Sequence, residues 1–499
     1  MPTGKRSPKS LFKAFDVRFV SHVRQQAQLA KPESHWNKEF ASPLLCKSAV
    51  FIDRDMKKTR VLILGGGFGG VYTALEFEKR RDTDFEITMI SEDNFFLFTP
   101  MLHEIAASDL DLTYIVNPMR KILRHVNFIN CQVQKVDLSN RTVTILHGFD
   151  RHNHVLEFEH LVLAVGSVTN FHKIPGLEEC AVTMKSLGDA IDLRNTLIAH
   201  LEEANTHCAI NNREPLLTFV VAGGGFAGVE TVGSIKDFLH DALPYYPNLK
   251  PEMIRVVLVH PGDFVLPELG EKLGRYTSRK LAERGVQLRA NTKISAVTSR
   301  EVILSDGTSI TSSTLVWTAG TSPHPLLNEL DLPKEHGRIK VNAHMEVEGF
   351  PGLWALGDCA MIPDPAGGFC PPTAQHASRE GKLLASNIIA STRQEPLQAF
   401  QFKTLGLLAS IGQRTGVARI LGVNFSGFAA WWLWRTVYLS KLPRIEKKLR
   451  VALDWTLDLF FTKDFVQYGH ERASTISTEH EQARDTAVAL CVSTVREVR

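Results

Sequence analysis

The stretch Arg60–Glu92, RVLILGGGFGGVYTALEFEKRRDTDFEITMISE, decides the fold of this chain. Val61–Leu64 is a short aliphatic run, which is typical of a buried parallel strand. The glycine-rich turn Gly65–Gly70 follows at once, and then come a helical stretch, Val71–Arg81, and a second strand, Glu86–Ile90. This order predicts a strand-turn-helix-strand unit that binds a dinucleotide.

Each position in this turn has a physical role. Gly65 permits the tight turn, Gly67 lets a pyrophosphate approach the backbone, and Gly70 lets the helix pack closely on the strand. Glu92, 22 residues past Gly70, ends the second strand and can accept hydrogen bonds from a ribose diol. The predicted contacts of the first nucleotide are Gly65, Gly67, Phe68, Gly69, Gly70 and Glu92.

A second motif repeats the first about 160 residues later, in the stretch Leu217–Ile235. Its predicted nucleotide contacts are Gly223, Gly225 and Gly228. The next strand ends in His260, where an acid usually holds the adenosine ribose. A histidine can still bond to the diol, and when protonated it tolerates a 2′-phosphate. The motif therefore predicts a second dinucleotide, with NADH favoured over NADPH and the choice left open.

Three further strand ends supply predicted cofactor contacts. The strand Leu161–Ser167 ends in a small-residue turn that contains Ala164 and Gly166, and Gly320 closes another strand. The strand that ends in Gly357-Asp358 can place its carboxylate near the ribityl chain of a flavin. Together with the first glycine turn, these positions predict a flavin site.

Two segments offer surfaces for a flat ring. The double proline before Thr373–Gln375 fixes the start of a helix, whose N-terminal N–H groups can stabilise a reduced, anionic flavin. The aromatic loop Asn94–Leu102 either closes over a flat ring or belongs to the ordinary core. The sequence alone leaves the role of this loop open.

The overall composition excludes some classes of protein. A net charge of +3 gives no support for nucleic-acid binding. The seven cysteines are scattered singly, which predicts a reducing compartment and no structural metal. The sequence shows no run of 18 apolar residues and no secretory signal, so we expect neither a transmembrane helix nor a secreted protein.

The C-terminal region changes character. Residues 420–434 carry no charge before Arg435, residues 438–450 are basic, and residues 451–461 are again apolar. Three tryptophans beside a basic run favour an interfacial surface that binds anionic lipid. The alternative is a helical hairpin packed on the protein itself or in a homodimer interface.

These landmarks together resemble the flavoproteins with two dinucleotide-binding domains. Within that superfamily the chain is similar to type II NADH dehydrogenases, the single-subunit NADH:quinone oxidoreductases, from about Lys57 to Gly469. The resemblance implies FAD in the first unit and NADH in the second. It also implies electron transfer to quinone without proton pumping, and attachment to a membrane face through amphipathic C-terminal helices.

The resemblance assigns roles to two further positions. Glu230 matches the family's glutamate near the nicotinamide, where it orients the ring or relays a proton. The alternative is an acid in the first helical turn that complements the helix dipole. The family's quinone-side motif A-Q-x-A-x-Q is matched by Ala374, Gln375 and Ala377, but Arg379 replaces its second glutamine. That departure leaves the quinone site and the quinone type open.

The predicted fold class is α/β, with two Rossmann-like dinucleotide-binding domains and a C-terminal amphipathic helical segment for membrane association. The predicted divisions are a poorly ordered basic extension (1–59), a discontinuous FAD domain (60–175 and 310–400), an NAD(P)H domain (176–309), a membrane-association region (401–470) and a flexible tail (471–499). For residues 1–59, a presequence and an upstream start codon are the competing interpretations.

The predicted location is peripheral, on the cytoplasmic face of the inner (plasma) membrane. Two other functions compete with the dehydrogenase. A sulfide:quinone oxidoreductase shares the architecture but needs cysteines beside the flavin, and Cys180, Cys359 and Cys370 are available. A redox-dependent binding protein would hold FAD and NADH and turn over only slowly.

Overall fold

The computed structural model of this protein describes residues 58–207, 213–412, 414–457, 461 and 463–468. The predicted tail of residues 471–499 lies outside these described residues. So does the predicted basic extension of residues 1–59, apart from Lys58 and Thr59.

The described part of the chain folds into helices and mostly short strands. Up to residue 169 they are β1 (Thr59–Leu64), α1 (Phe68–Arg80), β2 (Phe85–Ser91), β3 (Phe95–Leu97), α2 (Leu102–Ala106), β4 (Val116–Pro118), α3 (Met119–Ile122), β5 (Asn127–Asn130), β6 (Gln132–Asp137), β7 (Thr142–His147), β8 (His152–Glu157), β9 (His160–Leu163) and β10 (Ser167–Thr169). Up to residue 317 they are α4 (Leu177–Cys180), β11 (Ala181–Thr183), α5 (Leu187–Asn205), α6 (Arg213–Leu217), β12 (Thr218–Ala222), α7 (Phe226–Ala242), β13 (Arg255–Val259), α8 (Glu271–Glu283), β14 (Val286–Arg289), β15 (Ile294–Val297), β16 (Glu301–Leu304), β17 (Ser309–Thr311) and β18 (Thr314–Trp317). The remaining elements are β19 (Thr321–Pro323), β20 (Lys334–Glu335), β21 (Arg338–Lys340), β22 (Leu353–Ala355), β23 (Ala360–Met361), α9 (Ala374–Thr392), β24 (Gly406–Gly412), β25 (Thr415–Ile420), β26 (Val423–Gly427), α10 (Phe428–Lys441) and α11 (Ile445–Leu457).

Two parallel five-stranded sheets of the same design form the centre of the fold. The first has the order β22-β9-β1-β2-β5 and the second the order β11-β18-β12-β13-β14. In each sheet the strand before a glycine-rich turn lies in the middle, and its aliphatic side chains are buried. Burial on both faces explains why these strands are runs of Val, Leu and Ile and do not alternate with polar residues. The α/β class with two Rossmann-like units is confirmed.

The first sheet is completed by a strand from far along the chain. β22 pairs in parallel with β9, with Leu353 opposite Leu161 and Ala355 opposite Leu163. The chain thus leaves the first sheet, builds the second one, and returns. A two-stranded antiparallel ribbon, β10 with β19, joins the two halves. The exact boundaries of the discontinuous domain stay a prediction.

Both glycine turns are packed too tightly for any side chain. Gly65 has φ +112°, and a Cβ built on it lies 2.3 Å from the Ala164 carbonyl oxygen. Gly223 has φ +111°, and a Cβ built on Gly228 lies 1.8 Å from the Gly223 carbonyl oxygen. Helix and strand therefore touch through bare backbone, as the sequence predicts. α1 begins at Phe68, three residues earlier than predicted, because Gly67 is already its N-cap.

The C-terminal region differs from the sequence prediction, since it is not helical throughout. It begins with a three-stranded antiparallel sheet, β24-β25-β26. This sheet packs closely on α7, because a Cβ built on Gly233 would lie 2.6 Å from the Ile411 carbonyl oxygen. The helical hairpin of α10 and α11 follows the sheet.

The hairpin helices have one buried and one exposed side. On α11, Val451 and Trp455 are buried, whereas Leu449 and Leu453 are 66% and 60% exposed. Trp434 is fully buried, in agreement with the alternative of a hairpin packed on the protein, whereas Trp432 is 55% exposed. None of the helices in the described part of the chain has the length and hydrophobicity needed to span a bilayer.

We expect Gly228→Ala to destabilise the protein, because the new Cβ would collide with the Gly223 carbonyl, which is backbone and cannot rotate away. The cost is about 3 kcal/mol, which lowers the unfolding midpoint by several degrees. The matched control is Gly225→Ala, since a Cβ there meets no described atom within 4 Å. Thermal unfolding of both variants checks the prediction, and equal midpoints would contradict it.

Candidate functional site

The N-termini of α1 and α7 form two open cradles. Gly67 and Gly225 are the N-caps of these helices, with φ −80° and −76°. A Cβ built on either glycine meets no described atom within 4 Å, although the neighbouring glycines of both turns are tightly packed. Backbone N–H groups at a helix N-terminus, with space in front of them, suit a pyrophosphate. The residues present therefore fit one dinucleotide in each cradle.

The residues that follow the second strand of each unit differ from one another. Glu92 is exposed just after β2, where a carboxylate is available to a ribose. His260 lies in the corresponding place after β13, and its Nδ1 accepts a hydrogen bond from the Gly224 N–H at 3.1 Å. Burial lowers the pKa of His260, so the ring is neutral near pH 7. The structure therefore does not support the prediction of a protonated His260 that tolerates a 2′-phosphate.

Asp358 is held by a chain of polar side chains. The Ser167 hydroxyl donates to Asp358 Oδ2 at 2.8 Å, and Lys185 Nζ donates to Ser167 Oγ at 2.7 Å. Arg338 Nε donates to the Asp358 carbonyl oxygen at 3.0 Å. Burial lowers the pKa of Lys185, and the charge of Asp358 opposes that effect. The carboxylate is thus fixed at the end of β22, where the sequence predicts it.

Glu380 of α9 holds the turn that carries Asp358 by a hydrogen bond to its main chain. Its Oε2 accepts a hydrogen bond from the Gly357 N–H at 2.8 Å. The side chain is buried, which raises the pKa of Glu380 to about 7. The bond ties the start of α9 to the turn that carries Asp358.

The other predicted small residues fall into two groups. Gly166 and Gly357 have φ +69° and +71°, and no described atom comes within 3.4 Å of a Cβ built on them. Ala164 is buried beneath the first glycine turn, and a Cβ on Gly320 would meet His172 Nε2 at 2.3 Å. Gly166 and Gly357 therefore leave room for a cofactor, whereas Ala164 and Gly320 shape the backbone beneath it.

A cavity of about 740 Å³ opens beside the first cradle. Its wall combines aromatic rings with a few polar groups from α9. Its lining includes Phe68, Tyr72, Phe98, Gln375, Arg379 and Tyr438. The Phe68 ring lies 5.9 Å from that of Phe98, which lies 6.2 Å from that of Tyr438. Phe96 and Phe98 of the aromatic loop are both buried core residues, and Phe98 also lines the cavity, so closure of the loop over a flat ring stays a prediction.

Gln375 and Arg379 lie one turn apart on α9. Gln375 Nε2 donates to the Gly406 carbonyl oxygen at 2.8 Å, which ties α9 to the C-terminal sheet. The Arg379 guanidinium lies 3.9 Å from the Phe402 ring centroid and donates to the Gln375 carbonyl oxygen at 2.8 Å. The residue that departs from the family motif therefore puts a positive charge on the cavity wall.

Glu230 is buried in the interior, 7% exposed, and its place near a nicotinamide stays a prediction. Its Oε1 accepts from the Trp434 indole at 2.9 Å and from the Ser410 N–H at 3.2 Å. It is the fifth residue of α7, so the alternative of an acid in the first turn is wrong. Burial raises the pKa of Glu230 to about 8. Burial and the charge of Glu230 raise the pKa of Tyr438.

The cysteines in the described residues are Cys131, Cys180, Cys359 and Cys370. Burial raises the pKa of the Cys359 thiol to about 11, and its Sγ donates to the Leu163 carbonyl oxygen. Burial raises the pKa of Cys370 to about 11 as well. A nucleophilic sulfur must be a thiolate, so these two thiols are unreactive near neutral pH.

Several groups of the site lie outside the reach of sequence reasoning. Ser167 and Lys185 lie in no motif, and only the folded chain brings them to Asp358. The apolar sequence around Trp434 predicts a membrane face, and that prediction misses its inward contact. The sequence does contain one sign of a buried acid. The ionisable residues His103 and Glu104 are neighbours in α2, whose other residues are apolar.

Two family models cover most of the chain. Residues 59–381 match the pyridine nucleotide-disulphide oxidoreductase family, and residues 405–464 match the NDH2 C-terminal domain. The second match covers β24–β26 and the α10–α11 hairpin.

Curated relatives match over nearly their full length. The probable NADH dehydrogenase of Dictyostelium discoideum is 30% identical over 423 residues, which cover 83% of this chain and 92% of the relative. The type II NADH:quinone oxidoreductase of Mycobacterium tuberculosis is 30% identical over 425 residues, which cover 82% of this chain and 89% of the relative.

Solved structures show the same fold. NDH2 of Plasmodium falciparum in complex with NADH superposes with a TM-score of 0.77 at 19% identity, covering 82% of this chain and 100% of that one. The sulfide:quinone oxidoreductase of Aquifex aeolicus gives a TM-score of 0.61 at 17% identity, covering 81% and 96%. At such identities the likeness concerns the fold alone. The family models and the curated relatives show that this chain belongs to the pyridine nucleotide-disulphide oxidoreductase family, and within it to the type II NADH:quinone oxidoreductases.

Proposed function

We propose that this protein oxidises NADH and reduces a membrane quinone without pumping protons, with FAD in the first cradle and NADH in the second. When bound, FAD takes a hydride from NADH and passes two electrons to the quinone. The observation that carries the proposal is the aromatic cavity, whose wall includes Phe68 directly after the first-cradle residue Gly67.

The chain's own groups hold the two nucleotides. The N–H groups at the starts of α1 and α7 bind the pyrophosphates, and Glu92 accepts from a ribose. Asp358, fixed by Ser167, accepts from the hydroxyls of the ribityl chain. Because Glu380 anchors Gly357, the turn that carries Asp358 is rigid before the cofactor binds.

The cavity suits a quinone by shape and by chemistry. Phe98 and Tyr438 offer ring faces and edges to a flat apolar ring. Ser378 and Lys382 supply polar contacts at the wall made by α9. Leu405 and Leu421 also line the cavity and are 49% and 80% exposed, which leaves an apolar route for an isoprenoid tail.

Quinone reduction also needs a proton. The overall reaction is NADH + H⁺ + quinone → NAD⁺ + quinol, so each turnover consumes one proton. We assign its delivery to Glu230, because a carboxyl with a pKa of about 8 carries a proton at neutral pH. Tyr438 links Glu230 to the cavity, since it lines the cavity and its ring lies 4.8 Å from that of Trp434, whose indole donates to Glu230.

The sulfide:quinone alternative needs reactive cysteines beside the flavin, and two of its three candidates, Cys359 and Cys370, are buried. Burial raises the pKa values of both thiols to about 11, so neither is a thiolate nucleophile near neutral pH. The intact second cradle, with Gly225 open to a ligand, favours a nicotinamide nucleotide.

We further propose that the α10–α11 hairpin lies on the membrane surface. Ile445, Leu449 and Leu453 form an exposed apolar row on α11. Lys441 and Arg450 are exposed nearby, where they can contact anionic headgroups. Attachment to the cytoplasmic face of the plasma membrane, and a homodimer, stay predictions.

An anaerobic titration tests the function. We expect the purified protein to be yellow, its flavin absorbance to bleach when NADH is added, and the colour to return with a soluble quinone. Reoxidation should need no sulfide, because the cysteines do not enter the reaction. A protein that takes up no FAD, or that bleaches but is not reoxidised by quinone, contradicts the proposal.

We expect Glu230→Gln to change how stability depends on pH. Burial raises the carboxyl pKa from 4.5 to about 8, so between these values the folded protein keeps a proton that the unfolded chain has lost. The free energy of unfolding of the wild type therefore falls as the pH rises through this window, by at most about 1.4 kcal/mol per unit. The glutamine variant has no such proton and lacks this loss of stability. Its unfolding midpoint should therefore rise relative to that of the wild type as the pH increases. Parallel curves from about pH 5 to about pH 8 would show that the carboxyl is not buried in this way.

Charges placed on the outer row of α11 should release the protein from vesicles. The change Leu449→Glu with Leu453→Glu removes two side chains worth about 1.5 to 3 kcal/mol each when buried. We expect co-sedimentation with vesicles of mixed neutral and anionic lipid to fall at least tenfold. The matched control is Phe149→Glu, an exposed aromatic residue in the turn between β7 and β8. Undiminished binding of the α11 variant would place the attachment elsewhere.

A further inference from the structure

A second buried acid lies beside Glu230 and has no role in the mechanism above. Glu104 of α2 is 6% exposed, although it is flanked by apolar side chains on its own helix. Its Oε2 accepts a hydrogen bond from the Trp455 indole at 3.0 Å. An ionisable side chain in such a place is costly to bury, so it calls for an explanation.

The arrangement around Glu104 mirrors that around Glu230. Each carboxyl accepts from a tryptophan indole of the hairpin, Trp455 of α11 for Glu104 and Trp434 of α10 for Glu230. The two indole rings lie 6.4 Å apart, and His103, the chain neighbour of Glu104, has its Nδ1 3.8 Å from Glu230 Oε2. Glu104 lies near enough for its charge to raise the pKa of Glu230 further. The two acids therefore form one buried pair.

Charged side chains lie between Glu104 and the surface. Asp109, the next charged residue along the chain, follows in the turn whose main-chain N–H donates to the Glu104 carbonyl oxygen at 2.7 Å, and the charges of Asp109 and Lys463 both act on the Glu104 carboxyl. Lys463 forms ion pairs with Asp109 and with Asp241, whose side chains are 21% and 42% exposed. Exposure thus increases from Glu230 and Glu104 through Lys463 and Asp109 to Asp241, which is in contact with solvent.

The other ionisable neighbours of Glu230 are poor sources of a replacement proton. Burial lowers the pKa of His103 to about 3, so its imidazole stays neutral. Burial and the charge of Glu230 raise the pKa of Tyr438, so its hydroxyl does not ionise near neutral pH, and Tyr438 lies on the side of the cavity and not of the solvent-exposed acids. Burial raises the pKa of Glu104, as does Asp109, against the opposing charges of Arg435 and Lys463. Of the ionisable groups that the described residues place against Glu230, Glu104 alone exchanges a proton near neutral pH.

We propose that Glu104 is the side chain through which Glu230 regains its proton from solvent in each turnover, an inference that rests on the function proposed above. After Glu230 has given its proton to the quinone, the O–H bond of Glu104 breaks and an O–H bond forms on Glu230. Glu104 then takes one proton from solvent on the side of Asp109 and Asp241. No other bond changes, and one proton enters per NADH oxidised.

The test compares Glu104→Gln with the wild type on two electron acceptors. Glutamine keeps an oxygen to accept from Trp455 but cannot pass a proton. We expect turnover with a soluble quinone to fall about tenfold above neutral pH. Turnover with ferricyanide, which takes electrons without protons, should stay within about twofold of the wild type. In the double variant with Glu230→Gln, the loss should be no larger than for Glu230→Gln alone.

Three results would overturn the proposal. The first is a quinone turnover of Glu104→Gln equal to that of the wild type across the pH range. The second is an equal loss of rate with both acceptors, as a merely structural role requires. The third is a multiplicative loss in the double variant.

A second variant keeps the proposal testable if Glu104→Gln does not fold. Trp455→Phe removes the donor that favours the ionised form of Glu104, so the alkaline fall of quinone turnover should move to higher pH, and an unmoved profile contradicts the proposal. Failure of the proposed function is a separate result, because the wild type would then reduce ferricyanide and no quinone.

Discussion

The parallel pairing of β22 with β9 is the constraint on which the site depends. Backbone hydrogen bonds between Leu353–Ala355 and Leu161–Leu163 bring the end of one long excursion back to its start. The carboxyl ends of parallel strands meet at one edge of a sheet, so Asp358 arrives beside Gly166 and Ser167. α9 follows Asp358 in the chain, and Ala374 and Gln375 of its first turn line the aromatic cavity. Without this return, each half would be an ordinary nucleotide-binding unit.

The parts of the site that are local in sequence were predictable. Gly65, Gly70, Gly223 and Gly228 are dictated by contacts within a few residues, so the motif and the packing agree. The start of α9 was predictable for the same reason, since proline fixes the backbone just before Thr373. Such features need no knowledge of the rest of the fold.

The parts that sequence reasoning missed depend on distant contacts. The Lys185 ammonium donates to Ser167, 18 residues earlier in the chain, and no motif near Lys185 predicts this contact. The position of His260 predicts a ligand for a ribose, but its Nδ1 accepts from the Gly224 N–H of the glycine turn. Composition is also misleading for Trp434, because an apolar run shows that a helix is hydrophobic and not which of its neighbours it contacts.

The indole bonds of the hairpin make it part of the protein's interior. Trp434 and Trp455 reach inward to two acids, whereas Leu449 and Leu453 point outward from the same pair of helices. Truncating the chain before α10 to obtain an easily handled enzyme would leave both carboxyls without their hydrogen-bond donors. It would also expose the core beside the cavity to water. Detergent-free preparations must therefore come from polar substitutions in the outer row of side chains, while the hairpin itself is retained.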